Sequence, residues 1–258
     1  TWDRAAGQHL LWGTIREGQT DTLEVSTRVP AREAGVRLLQ LLDSAGITVR
    51  DGLEIAQDPG ERLGGACASG AVRTCDGATR LAALRSPPLR EITRGILEPS
   101  QNWMTEQVVR SLAVYRGEQG SWSRGVSAVS EILQREAGVD SLDIALRDGS
   151  GLSAYNLVTP RAIVRILEEM REGPFADEFR MAMARPGEDD STLERRLLDL
   201  EGRVFAKTGT ISNVNSLSGY LVRDDGREVI FSVLTNGSGL PASRVRAAID
   251  DVVRSLAR

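Results

Sequence analysis

Val204-Phe205-Ala206-Lys207-Thr208-Gly209-Thr210, followed by Leu217-Ser218-Gly219-Tyr220-Leu221-Val222 and Glu228-Val229-Ile230-Phe231-Ser232-Val233-Leu234, is the stretch whose reading decides the fold. The first run alternates apolar and polar residues around a charged one. The second alternates Leu217, Gly219 and Leu221 with Ser218, Tyr220 and Val222. Asp224-Asp225-Gly226 supplies a turn, and the third run returns as a mostly apolar strand. Working outward, the chain closes with helical spacing at Val245, Ala248, Ile249, Val252, Val253 and Leu256. The order strand, hairpin, C-terminal helix predicts an α/β (α+β) domain, an antiparallel sheet flanked by helices.

Lys207 is the only lysine of the chain; every other basic side chain is arginine. Lysine is a compact point charge whose pKa shifts readily, unlike guanidinium. A lone lysine also fits an arginine-biased composition, but its place before Thr208-Gly209-Thr210 points to a site.

With 258 residues the chain can hold one large domain or two smaller ones around an ample core. The net charge of −4, with scattered arginines, argues against nucleic acid as the main partner. No run approaches the roughly 20 apolar residues of a membrane span. Thr1-Trp2-Asp3-Arg4 has neither a basic n-region nor an apolar core, and the missing initiator Met favours removal of the N-terminus. Cys67 and Cys75 sit in a Gly/Ala/Ser-rich segment. A local disulfide there would imply an oxidising compartment; the alternative is two free thiols in a reducing one. Neither has a histidine or a third cysteine nearby, which argues against zinc.

Residues 1–50 read as a small unit of their own. Strands are expected over His9–Ile15, Leu23–Val29 and Ile47–Val49, with a helical face at Ala34, Leu38, Leu41, Leu42 and Ala45 stopped by Gly46. His9 is the only histidine and reads as structural, so no Ser-His-Asp triad is available. Residues 51–85 read as loop with one or two short strands. Leu89–Leu97 reads as a short helix. Ser100 reads as the N-cap of the next, with Trp103, Met104, Val108 and Leu112 inward. A helix follows Gly120-Ser121-Trp122, with Val126, Val129, Ile132 and Leu133 on one face. Thr159-Pro160 caps another, with Ile163, Ile166, Leu167 and Met170 inward. Residues 174–200 read as helical fragments broken by Pro186-Gly187. Asp148-Gly149-Ser150-Gly151-Leu152-Ser153 is a tight turn that lacks the pattern of a phosphate loop, and its serines read as scaffolding.

Together these motifs resemble the penicillin-recognising serine acyl-transferases, and among them the class C low-molecular-mass penicillin-binding proteins, D-alanyl-D-alanine carboxypeptidases/endopeptidases. The resemblance rests on Lys207-Thr208-Gly209-Thr210 and the hairpin ending Thr235-Asn236-Gly237. It rests equally on Ser100-Gln101-Asn102 with Glu106, and on Asp148 to Ser153 with Asn156 and Thr159-Pro160. It runs from about residue 20 to the end. It implies a serine β-lactamase/DD-peptidase-like fold and an acyl-enzyme mechanism. Lys207 would then supply positive charge near the substrate carboxylate and hold the Ser100 hydroxyl, and Ser100 would stand in the proton path to the leaving amine. Asn102 would bond the substrate amide. Thr208 and Thr210 would bind its terminal carboxylate. Gly209 would let the substrate backbone lie against the strand, and the Thr210 N–H would be half of an oxyanion hole. Gln101 stands where aspartate is commoner. Neither metal nor cofactor is implied; the expected partners are peptidoglycan stem peptides and β-lactams, and the expected location is periplasmic or otherwise extracytoplasmic.

One departure limits this. The family's nucleophile lies in Ser-x-x-Lys, and three residues before the sole lysine stands Val204. Residues 1–50 are therefore expected to be the tail of an inserted accessory domain, a small N-terminal remnant. Residues 51–258 would be the C-terminal part of the penicillin-binding domain, whose nucleophile is carried by an upstream segment or chain. The part without that segment is expected to leave a sheet edge uncovered and to associate. The rival readings are a serine β-lactamase and a non-catalytic peptidoglycan-binding or scaffold homologue.

Overall fold

The computed structural model describes residues 2–3, 8–20, 27, 29–55 and 83–258. They fall in two compact units, one within the stretch ending at Ile55 and one from Ala83 to the C-terminus. The expected strand over 23–29 and the Cys67–Cys75 pairing lie largely or wholly outside the described residues.

In the first unit, β1 (Trp2–Asp3) pairs antiparallel with β2 (Gln8–His9). The strand expected to run on to Ile15 stops at His9, and Ile47–Val49 is not a strand. Leu11, Trp12 and Ile15 stand exposed, and no described strand runs beside either segment to complete a ladder. The helix is present as α1 (Pro30–Ser44), opened by proline at its first position and ended before Gly46 at φ 75°.

The second unit is built on a sheet ordered β5-β6-β7: β5 (Val204–Ile211), β6 (Val214–Val222) and β7 (Glu228–Asn236), antiparallel throughout. Ahead of it come α2 (Leu89–Leu97), α3 (Asn102–Tyr115), α4 (Trp122–Arg135), the pair β3 (Ile144–Ala145) and β4 (Leu157–Val158), α5 (Pro160–Glu172) and α6 (Ala176–Ala182). α7 (Ala242–Leu256) ends the chain. This is the antiparallel sheet between helices that the alternation predicted. Gly226 at φ 80° makes the β6–β7 turn, and Asn213 at φ 61° the two-residue link from β5 to β6.

Strand alternation assigns the faces. Val204, Ala206, Leu217, Leu221 and Phe231 pack beneath Val245, Ile249 and Val253 of α7. Phe205, Tyr220 and Ile230 face the other way, onto Ile163 and Leu167 of α5, Phe179 of α6 and Leu97 of α2. The Tyr220 hydroxyl donates to the Leu167 carbonyl at 2.7 Å, so its burial leaves no polar atom unpaired. On α7, Asp250 accepts from both Nε and Nη2 of Arg196, at 3.2 and 2.6 Å, which ties the helix to the loop before the sheet. Ala248 and Val252, part of the same helical spacing, lie on its exposed side.

The Thr159 cap forms as expected, accepting from Ala162 N, and Ser121 caps α4, accepting from Arg124 N. The cap of α3 differs: Gln101, not Ser100, is its N-cap and accepts from Trp103 N at 3.1 Å. Trp103 is 68% exposed, and the buried face of α3 is centred on Val109 and Ala113. Small residues set that face. A Cβ on Gly125 of α4 would run into the Val109 backbone, so α3 and α4 approach too closely for bulky side chains.

Candidate functional site

On β5 the alternation that buries Val204 and Ala206 turns Lys207 to the opposite face, level with Ser218 of β6 and Ser232 of β7. The Ser218 and Ser232 hydroxyls bond each other at 2.9 Å, which makes this end of the face polar while Tyr220 and Ile230 keep the other end apolar. Lys207 Nζ donates to Ser100 Oγ at 2.6 Å and to the Thr208 carbonyl at 2.7 Å. Burial lowers its pKa from 10.5 to about 8. Gly209 faces Ser216 across the ladder, and a Cβ there would collide with the Ser216 hydroxyl.

Ser100 is delivered from a turn. α2 ends at Leu97, Gln101 N donates back to the Ile96 carbonyl at 2.9 Å, and Ser100 takes φ 64° before α3 begins. A left-handed serine is costly unless its surroundings fix it. Glu98 supplies that fixing: its carboxylate accepts from Arg94 Nε at 2.8 Å and lies 3.7 Å from Arg185 Nη2, and its carbonyl accepts from Thr192 N at 3.2 Å. The segment so held begins at Ala184, whose carbonyl accepts from Ala206 N at 3.0 Å, one residue from Lys207. The turn and the strand are therefore joined twice, through Ser100–Lys207 and through Glu98. Burial alone would raise the Glu98 pKa, but the hydrogen bond and charge of Arg94, with Arg185, leave it below the ordinary value. Its neighbour Glu188 is pushed up, first by burial. Sequence reading missed Glu98 and Arg185; the only signal was the four-residue spacing of Arg94 and Glu98.

Asn102 opens α3, half-buried, and its side-chain amide makes no hydrogen bond within the described residues. The β5 backbone offers a further feature. Because Ala206 N points outward to Ala184, Thr208 and Thr210 also direct their N–H and C=O outward, and no described strand continues along that edge. Thr210 is exposed and Thr208 half-buried. The Asp148–Ser153 turn is pinned from α3: Glu106 accepts from Gly149 N and from Ser150 N, the latter at 2.8 Å. Asp148 accepts from Gly151 N, Ser153 N and the Asn156 amide. Among the described residues no group of three or more His, Cys, Asp or Glu side chains is placed to hold a metal ion, and no helix is long and apolar enough to cross a membrane.

The sheet thus lies between α7 on one face and α2, α5 and α6 on the other, and the lysine of its edge strand meets a serine from an interhelical turn. The chain belongs to the D-Ala-D-Ala carboxypeptidase 3 (S13) family, whose model matches residues 9–258. It is 35% identical over 253 residues to the D-alanyl-D-alanine carboxypeptidase of Actinomadura sp. (strain R39), covering 92% of this chain and 45% of that one. It is 31% identical over 163 residues to the D-alanyl-D-alanine carboxypeptidase DacB of Haemophilus influenzae, covering 61% of this chain and 33% of that protein. The crystal structure of penicillin-binding protein 4 from Haemophilus influenzae, complexed with a β-lactam, superposes with a TM-score of 0.72 at 24% identity. The match covers 90% of this chain and 51% of that one. The chain thus spans about half, or less, of the length of these relatives.

Proposed function

We propose that this chain is the C-terminal part of an exported, penicillin-binding serine D-Ala-D-Ala carboxypeptidase/endopeptidase acting on peptidoglycan stem peptides. The observation that carries the reading is the 2.6 Å bond from Lys207 Nζ to Ser100 Oγ beside an open strand edge. A peptide ending in a carboxylate can add to that edge, with outward Thr208 and Thr210 groups as backbone partners. At neutral pH a lysine titrating near 8 is mostly charged and attracts the carboxylate, which the Thr208 and Thr210 hydroxyls also bind. Asn102, with its amide uncommitted, holds the substrate amide. Ser100 passes a proton between Lys207 and the leaving amine, and the Thr210 N–H stabilises the oxyanion.

The acylated serine belongs to a Ser-x-x-Lys segment, since no such motif occurs in these 258 residues. That segment is the expected partner, upstream in the same protein or on a companion chain. Residues 1–50 fit the tail of an inserted domain and 51–258 the C-terminal part of the catalytic one. The names of the Actinomadura and Haemophilus relatives support the carboxypeptidase activity, and the β-lactam complex of the Haemophilus structure supports β-lactams as ligands. The test is release of D-alanine from a peptide ending in D-Ala-D-Ala by the chain complemented with a Ser-x-x-Lys segment. Activity lost on Lys207→Ala is expected. A folded, complemented protein that releases no D-alanine would refute the reading.

A further inference from the structure

We propose that Ser100 and Lys207 form a Ser–Lys dyad that an activated ester can acylate in this chain by itself, with Ser100 as nucleophile and Lys207 as its base. This activity goes beyond the carboxypeptidase reading and does not depend on it, because that reading places the nucleophile on another segment.

The geometry meets the requirements of such a dyad. Ser100 Oγ and Lys207 Nζ stand 2.6 Å apart, within direct proton-transfer reach. Ser100 sits at φ 64° on the tight turn between α2 and α3, half-buried beside Lys207. A sharp, strained turn ahead of a helix is how nucleophilic serines are exposed on other folds. Lys207 is mostly buried, and burial is the sole cause of its shift to about 8. Glu98, two positions before Ser100, is taken up by Arg94 and Arg185. The neutral amine therefore amounts to about one molecule in ten at pH 7 and half at pH 8. Ser–Lys pairs stand in for Ser–His pairs on other folds. Outward N–H groups at Thr208 and Thr210 supply donors along the neighbouring edge.

The step balances. Neutral Lys207 Nζ takes the Ser100 Oγ proton while Oγ bonds to the ester carbonyl carbon. The adduct then collapses, the carbonyl carbon–oxygen bond to the leaving group breaks, and that oxygen departs with the electron pair as an aryl oxide. Lys207, left as ammonium, returns its proton to solvent.

The experiment treats the 258-residue chain with p-nitrophenyl acetate from pH 6 to 10, following nitrophenolate release, intact mass and the position of the acetyl group by peptide mapping. One acetyl group on Ser100 is expected, formed at a rate that rises with a midpoint near pH 8. Lys207→Arg, whose guanidinium stays protonated, should acetylate about 100-fold more slowly, and Ser100→Ala should lose the label. The site of acetylation in the unaltered chain decides the matter even if a variant fails to fold. Acetyl groups only on Lys207 or the N-terminal amine, or none at all, would overturn the dyad. That result would leave the carboxypeptidase reading standing if the complemented protein still released D-alanine.

Discussion

Replacing Lys207 by methionine removes the buried ammonium from the sheet face, and it should change how stability depends on pH. Folded, Lys207 titrates near 8 because it is buried; its ordinary value is 10.5. Between those values the unfolded chain holds the proton more tightly, so unfolding free energy rises with pH. Below pH 8 the full penalty of a buried charge is present, and above 10.5 it is gone. At about 1.4 kcal/mol per pKa unit the gap is worth about 3 kcal/mol, reduced to about 2 by the solvent that still reaches the side chain. Tyr220 works the other way: burial pushes it up to about 12, so its contribution falls as pH rises above 10. Because Tyr220 is present in both proteins, the difference between wild type and Lys207→Met cancels it. Urea unfolding followed by tryptophan fluorescence should show the variant gaining on wild type at pH 7, with that advantage shrinking by about 1.5 kcal/mol by pH 10. An advantage constant to within about 0.5 kcal/mol across that range would refute the burial argument.

The left-handed backbone at Ser100 predicts that Ser100→Gly is about 1 kcal/mol more stable than Ser100→Ala, measured by thermal melting, since only glycine adopts φ 64° without strain. Gly219 and Ala206 form a close non-hydrogen-bonded pair in which a Cβ on Gly219 would come within 2.6 Å of Ala206 Cα. Gly219→Ala should therefore cost about 3 kcal/mol in urea unfolding. Asp250→Asn leaves the largely buried Arg196 guanidinium without its carboxylate and should cost about 3 kcal/mol, while Lys207 keeps its titration midpoint. Glu98→Gln should move that midpoint up towards 10.5, read as the single lysine signal in a carbon-13-lysine sample, because the turn holding Ser100 over Lys207 loosens. Among the described residues β7 lies at an edge of the sheet, so the 258-residue chain should associate in size-exclusion chromatography; a monodisperse monomer would contradict this.

The sheet and α7 were legible because their information is local. Leu217, Gly219 and Leu221 alternate with Ser218 and Tyr220, and Asp224-Asp225-Gly226 can only be a turn. The Thr159 cap was legible for the same reason. Ser100 was assigned to the right neighbourhood but the wrong local role. Its left-handed backbone follows Glu98, which is held by Arg185 and Thr192, partners about ninety positions away that no spacing reveals. Trp103 was read as inward because large apolar residues usually point to a core. Here α3 packs through Val109 and Ala113 against Gly125, where close helix approach matters more than side-chain size. The strand expected to Ile15 failed because an apolar run needs a partner strand, and the sequence does not say whether one is present.

In the proposed function, Ser100 and Lys207 are half of an acylating site completed by a serine from another segment. Intact-mass and peptide-mapping measurement of the chain joined to a Ser-x-x-Lys segment, with and without penicillin, tests this directly. One penicilloyl group on the serine of that segment, lost when Lys207 is changed to alanine, is the predicted result. A folded, joined protein that forms no adduct, or forms it equally well without Lys207, would contradict the account.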